Sequence, residues 1–115
     1  MIERILFDFL TEKMSVPVFM EIPKDPKTEM IVLEKIGSRL QNHISSSTFA
    51  VQSYGASLYE AAELNDLVKK TILDGVDGII TLNEVIGVEL NSDYNFTDTT
   101  SKRYRYQAVI VINHY

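Results

Sequence analysis

Few side chains in this sequence are of types and spacings that perform chemistry. The two histidines, His43 and His114, are far apart and have no carboxylate at metal-ligand spacing. A lone histidine on a loop or a strand end is more often a surface residue than a metal ligand or a general base. The DGVDG stretch, Asp74 to Gly78, has two aspartates beside glycines but lacks the other oxygen ligands of a calcium loop, so it predicts a helix end.

Polar side chains are concentrated near the C-terminal end of the sequence. They are Asp93, Asp98 and the hydroxyls of Thr97, Thr99, Thr100 and Ser101, followed by the basic residues Lys102, Arg103 and Arg105. Short polar side chains bond to nearby backbone, which favours a self-supporting loop. A docking loop is the second interpretation, because loops held by a rigid sheet often carry recognition. A solvated strand end explains the basic residues in an acidic chain.

Composition limits the classes of function. A chain of 115 residues, 45% hydrophobic and 23% charged, is predicted to form one domain, residues 1–115. The absence of cysteine excludes disulfides, thiolate zinc sites and a cysteine nucleophile. The net charge of −5 disfavours nucleic-acid binding, which depends on Lys and Arg neutralising phosphates. No nucleophile elbow, phosphate loop or dinucleotide fingerprint is present, so catalysis is not predicted.

The sequence contains no predicted membrane or targeting segment. No apolar run reaches the roughly 18 residues that a membrane helix needs. The opening stretch MIERILFDFLTEK has charges inside its apolar pattern, so we expect an amphipathic helix and not a signal peptide. We therefore expect a protein that stays in the cytoplasm where it is made.

Hydrophobic periodicity predicts the elements that position these side chains. They are an opening helix, strands at Ser15–Glu21, Glu29–Ile36 and Ile44–Tyr54, a helix from Ser57 to about Leu73, and two strands within Glu84–Tyr115. Ser57 followed by Glu60 matches a capping box. Pro17 predicts an edge position for the first strand. The segment Gly37 to His43 is polar without a clear period, and Ile79 to Leu82 stays open between a strand and a turn.

This order, α-β-β-β-α-β-β, predicts an α+β fold with a single open, mainly antiparallel sheet of four or five strands and two helices on one face. Two helices cover only one face of such a sheet. Strand alternation places a second apolar set on the other face, consisting of Ile31, Leu33, Val109 and Val111. Either another subunit buries that face, or a strongly twisted sheet covers itself.

Several longer segments together resemble a known family. They are the opening helix, the strands VPVFMEIP and IVLEKIG, the segment SSSTFAVQSYG, the helix LYEAAELNDLVKKTIL and the hairpin LNSDYNFTDTTSKRYRYQAVIVINHY. In the order of these segments, the sequence is similar to the small tail-completion proteins of long-tailed bacteriophages and prophages, which are called tail terminator or head–tail joining proteins. The resemblance covers nearly the whole chain and includes no catalytic signature.

The resemblance implies assembly rather than catalysis, with no cofactor and no membrane. It implies a ring, typically of six copies, that caps the tail tube, meets the head-completion or connector protein and lets DNA pass without specific binding. Such a protein lies at the head–tail interface of the virion and is assembled in the cytoplasm of the bacterial host. The loops Gly37 to Ile44 and Asn95 to Arg103 are the expected contacts. Their candidate interface residues are Arg39, His43, Asp98 and Arg103.

Two other classes of function stay open. One is a small-molecule-binding or enzymatic α+β domain that uses the open sheet face as a pocket, although the sequence offers few titratable groups for it. The other is a nucleic-acid-binding adaptor, which the negative charge disfavours.

Overall fold

The structure is a computed structural model that describes residues 1–74, 85–98, 100–101 and 103–115. Its elements are α1 (Ile2–Lys13), β1 (Val18–Phe19), β2 (Met30–Gln41), β3 (Ile44–Tyr54), α2 (Leu58–Asp74), β4 (Val85–Asn95) and β5 (Arg105–His114). The strands form one sheet in the order β1-β2-β3-β5-β4, in which only β1 and β2 run parallel. The predicted α+β class and the order of elements are confirmed.

The two helices form where the sequence signals place them. In α1, the apolar positions at helical spacing, Ile2, Leu6, Phe9 and Leu10, are all buried. At the start of α2, the Ser57 hydroxyl accepts a hydrogen bond of 3.2 Å from the backbone N–H of Glu60. This bond satisfies one of the free N–H groups of the first turn, as the capping-box pattern predicts.

Both helices pack on the same face of the sheet and form the main core there. Its buried sheet residues are Val18, Ile31, Leu33, Phe49, Val51, Val85, Ile110 and Ile112. Ile31 and Leu33 therefore belong to the helix-covered core, and their predicted place on the opposite face is wrong. The run from Met30 to Leu33 is buried on both faces, so its alternation does not show which side the helices cover.

The opposite face carries a smaller apolar cluster. Met30, Val32 and Tyr54 are buried there, and Phe19 packs against them. Val109 and Val111 lie on this face as predicted, because they pair with Ala50 and Thr48 and alternate with the core residues of β5. Both valines are partly exposed, and both helices lie on the other side. We call this side the open face.

Strand boundaries differ from prediction at β1 and β2. The first strand was predicted from Ser15 to Glu21, but only Val18 and Phe19 pair, and they lie at the predicted edge of the sheet. The second strand was predicted to end at Ile36, yet β2 continues to Gln41 with a bulge between Lys35 and Gly37. Its outer part is exposed on both faces, so no apolar alternation marks it as a strand.

The turn after β2 explains why the polar segment stays in the sheet. Asn42 and His43 have φ of 54° and 66° and join β2 to β3 directly. A two-residue turn with two positive φ values is the type I′ geometry, whose twist matches that of the flanking strands.

The segments Gly75 to Gly78 and Ile79 to Leu82, as well as Thr99 and Lys102, lie outside the described residues.

Candidate interaction surfaces

The four candidate interface residues lie at opposite ends of the sheet. Arg39 and His43 are in the β2–β3 hairpin, whereas Asp98 and Arg103 are in the connection between β4 and β5. The register places the β4–β5 connection beside Tyr54, at the far end of β3. A strand with the 11 residues of β3 spans about 34 Å, in a molecule 43 Å long. The structure therefore separates the four residues into two pairs.

One end of the molecule is a hairpin that extends past the helix-covered core. We call residues 36–44 the arm. All its residues are exposed, including three large apolar side chains, Ile36, Leu40 and Ile44, which are 53%, 71% and 38% exposed. Arg39 donates a hydrogen bond of 2.6 Å to the Gln41 side chain. Because Leu40 pairs with Ser45 and Ile44 with Gln41, the arm exposes apolar side chains on both of its faces.

At the other end, the loop that follows β4 is held by its own side chains. The Asp98 carboxylate accepts hydrogen bonds from the Thr100 N–H at 3.0 Å and the Ser101 hydroxyl at 2.8 Å. The Asn95 side chain accepts another from the Thr97 N–H at 3.0 Å. These bonds favour the self-supporting interpretation of the loop. They also mean that the Asp98 carboxylate stabilises its own loop.

We expect Asp98 to titrate at an unusually acidic pH. The hydrogen bond from Ser101, with those from the backbone of Thr100 and Ser101, holds the pKa of Asp98 below its ordinary value of 3.8. A lowered pKa contributes stability that is present above the ordinary pKa and is lost as pH falls through the folded pKa. In an NMR titration, the Asp98 carboxyl should have its midpoint below 3.8, and Ser101→Ala should raise it. An ordinary midpoint that Ser101→Ala leaves unchanged would contradict these bonds.

A chain of side-chain hydrogen bonds crosses three strands on the open face. Arg105 donates to the Tyr54 hydroxyl at 2.9 Å, and Tyr54 donates to Gln52 at 3.2 Å. Gln52 donates to Gln107 at 3.0 Å, and Gln107 donates to the Tyr94 hydroxyl. Because these bonds are linked, they hold this part of the open face rigid. The signal for these bonds in the sequence is weak and consists of the alternation of polar residues in β3 and β5.

Arg103 lies at the end of this network. Its guanidinium is 4.9 Å from the centre of the Tyr54 ring and donates to the backbone carbonyl of Lys27 at 3.3 Å. The Arg105 guanidinium is 4.4 Å from the Phe96 ring and donates to the Phe96 carbonyl at 2.6 Å. Arginine stacks readily on aromatic rings. Arg103 and Arg105 are thus held in position by these contacts.

The part of the chain that the structure describes contains no group of three His, Asp or Glu residues placed to hold a metal ion. Within the same residues, no helix is long and apolar enough to span a membrane. No protein-family model and no curated protein matches this chain.

Proposed function

We propose that this protein is a structural subunit of a phage or prophage tail. Copies of it form a six-membered ring that caps the tail tube and joins it to the head, leaving a channel for DNA. It acts by assembly and not by catalysis, at the head–tail interface of the virion, after assembly in the host cytoplasm. The observation that carries the proposal is the separation of two connections, the arm and the β4–β5 loop, by about 34 Å, which makes two distinct contact regions available.

In a ring, each subunit contacts its two neighbours through two different surfaces, which meet head to tail. Such heterologous contacts close into a ring when the rotation between neighbours allows it. The arm, with Leu40 71% exposed, supplies one projecting surface, and the partly exposed Val109 and Val111 of the open face supply an apolar surface distinct from it. Packing the arm of one copy on the open face of the next buries both sets of apolar side chains.

The charge of the chain supports a passive channel. A net charge of −5 repels the phosphate backbone on average, so DNA passes a wall of such subunits without binding tightly. We assign the contacts with the tail tube protein and with the head connector to the two ends of the subunit. Arg39 lies at one end and Arg103 at the other.

Charge reversal at each end tests this assignment. Tail tubes purified from the phage or prophage that carries the gene would be pelleted with the protein, and tail-to-head joining would be scored in a complementation assay. We expect Arg39→Glu and Arg103→Glu each to lower pelleting or joining by about tenfold, because each replaces a cation of the proposed contact by an anion. Lys70→Glu, at an exposed position of α2, is the control and should behave as wild type.

The proposal fails if the wild-type protein neither pellets with tubes nor restores joining. A saturable small-molecule ligand on the open face, with no effect of either arginine on joining, would favour the pocket-protein alternative.

A further inference from the structure

A cavity of about 220 Å³ lies at the β4–β5 loop end of the sheet, and we call it the base pocket. It opens between the segment before β2, the end of β3 and the residues before β5. Its polar lining comes from Lys27, Thr28, Arg103 and Tyr104, and its apolar lining includes Pro26 and Ala56. Two basic residues and the hydroxyl-bearing Thr28 and Tyr104 thus line one concavity, and none of the described residues that line it is acidic.

Arg103 is held in this pocket with donors to spare. The Tyr54 ring lies under its guanidinium, and one of its N–H groups bonds to the Lys27 carbonyl. A guanidinium carries five N–H donors, so this arrangement holds the Arg103 guanidinium without using all of its N–H donors. None of the ion pairs among the described residues includes Arg103 or Lys27.

The charged residues that line the pocket itself, Lys27 and Arg103, are both basic, whereas acidic residues lie around it. Asp98, which pairs with Arg103 in an isolated bridge, keeps its negative charge, and its carboxylate accepts hydrogen bonds from Thr100 and Ser101 of its own loop. Glu29, Glu60 and Glu63 line an adjoining cavity, which shares Tyr54 and Gly55 with the base pocket. In addition, α2 begins at Leu58, two positions after the lining residue Ala56, and a helix N-terminus adds positive potential.

We propose that the base pocket binds a carboxylate from an acidic segment of a partner protein. Arg103 recognises the carboxylate by charge-assisted hydrogen bonds, Lys27 adds a second cation, and the Pro26 and Ala56 surfaces contact the flanking peptide. A phosphate backbone is the poorer match, because nucleic-acid binding needs a track of many cations and this acidic chain presents one small concavity. The inference stands apart from the tail proposal, since it requires a protein partner but no ring.

The test is an NMR titration of the labelled full chain with a capped tetraglutamate peptide. We expect saturable shifts at the amides of Thr28, Ala56 and Arg103 that weaken as salt is added. Arg103→Gln should raise the Kd by about tenfold, the equivalent of a charged hydrogen bond. Lys27→Gln is a second variant, at an exposed position outside the strands, and should also weaken binding. Lys70→Gln should bind as wild type.

A capped tetraglutamine peptide and a short DNA duplex are the comparison ligands. The proposal predicts no saturable shift at the pocket with either. It is overturned if tetraglutamate leaves the pocket amides unmoved, if tetraglutamine moves them equally, or if Arg103→Gln and Lys27→Gln both bind as wild type. Tighter binding of the duplex at these amides also overturns it and assigns the pocket to nucleic acid.

Discussion

Gly55→Ala is expected to destabilise the protein by about 3 kcal/mol, because the new methyl group meets backbone that has no room to move. A Cβ built at Gly55 lies 2.5 Å from the backbone nitrogen of Ala61 and 2.9 Å from the carbonyl carbon of Glu60. Both atoms belong to the first turn of α2, so the helix must shift relative to the end of β3. Urea unfolding followed by circular dichroism measures the change in the free energy of unfolding.

Gly37→Ala is the matched control for this prediction. A Cβ at Gly37, in the exposed outer part of β2, meets no atom within 4 Å. Its free energy of unfolding should stay within about 1 kcal/mol of wild type. Equal stability of the two variants would contradict the close approach of β3 to α2 that the structure describes.

The double variant Ile36→Ser, Leu40→Ser is expected to weaken self-association by at least about tenfold while leaving the subunit folded. The two side chains are 53% and 71% exposed, so the isolated subunit gains little stability from them. In a ring they would be buried, and removing two apolar anchors from an interface raises its dissociation constant by at least about tenfold. Light scattering reports the assembly, and circular dichroism reports the fold.

Tyr59→Ser is the control for the arm variant. Tyr59 is 72% exposed on α2, which matches Leu40 in exposure but lies outside the arm. It should leave association unchanged. If the arm variant assembles as well as wild type, the arm is not the subunit contact.

The predictability of the fold depends on how strongly each segment is buried on one side. Strand β3 was predicted with its observed bounds, Ile44–Tyr54, and α2 to within a residue or two at each end, because a clear period and a capping box mark them. The outer half of β2 was missed, since a strand exposed on both faces leaves no hydrophobic pattern. Only the positive φ of Asn42 and His43 reveals how the chain turns there.

The candidate residues were harder to predict than the fold. The sequence correctly marked both connections as polar, but it could not show that they lie at opposite ends of the sheet, since that depends on the pairing of β3 with β5. The bonds of Asp98 within its own loop agree with the predicted self-supporting loop, but the sequence could not show that Arg103 reaches Tyr54 and Lys27. Contacts between residues this distant in sequence follow from the strand register.

The most direct test of the tail-ring account is the solution mass of the protein by light scattering across a wide range of concentration. The account predicts a mass that rises with concentration toward six times the subunit mass of 13.1 kDa. A mass that stays at 13.1 kDa up to about 1 mM, where even weak specific interfaces associate, would contradict it.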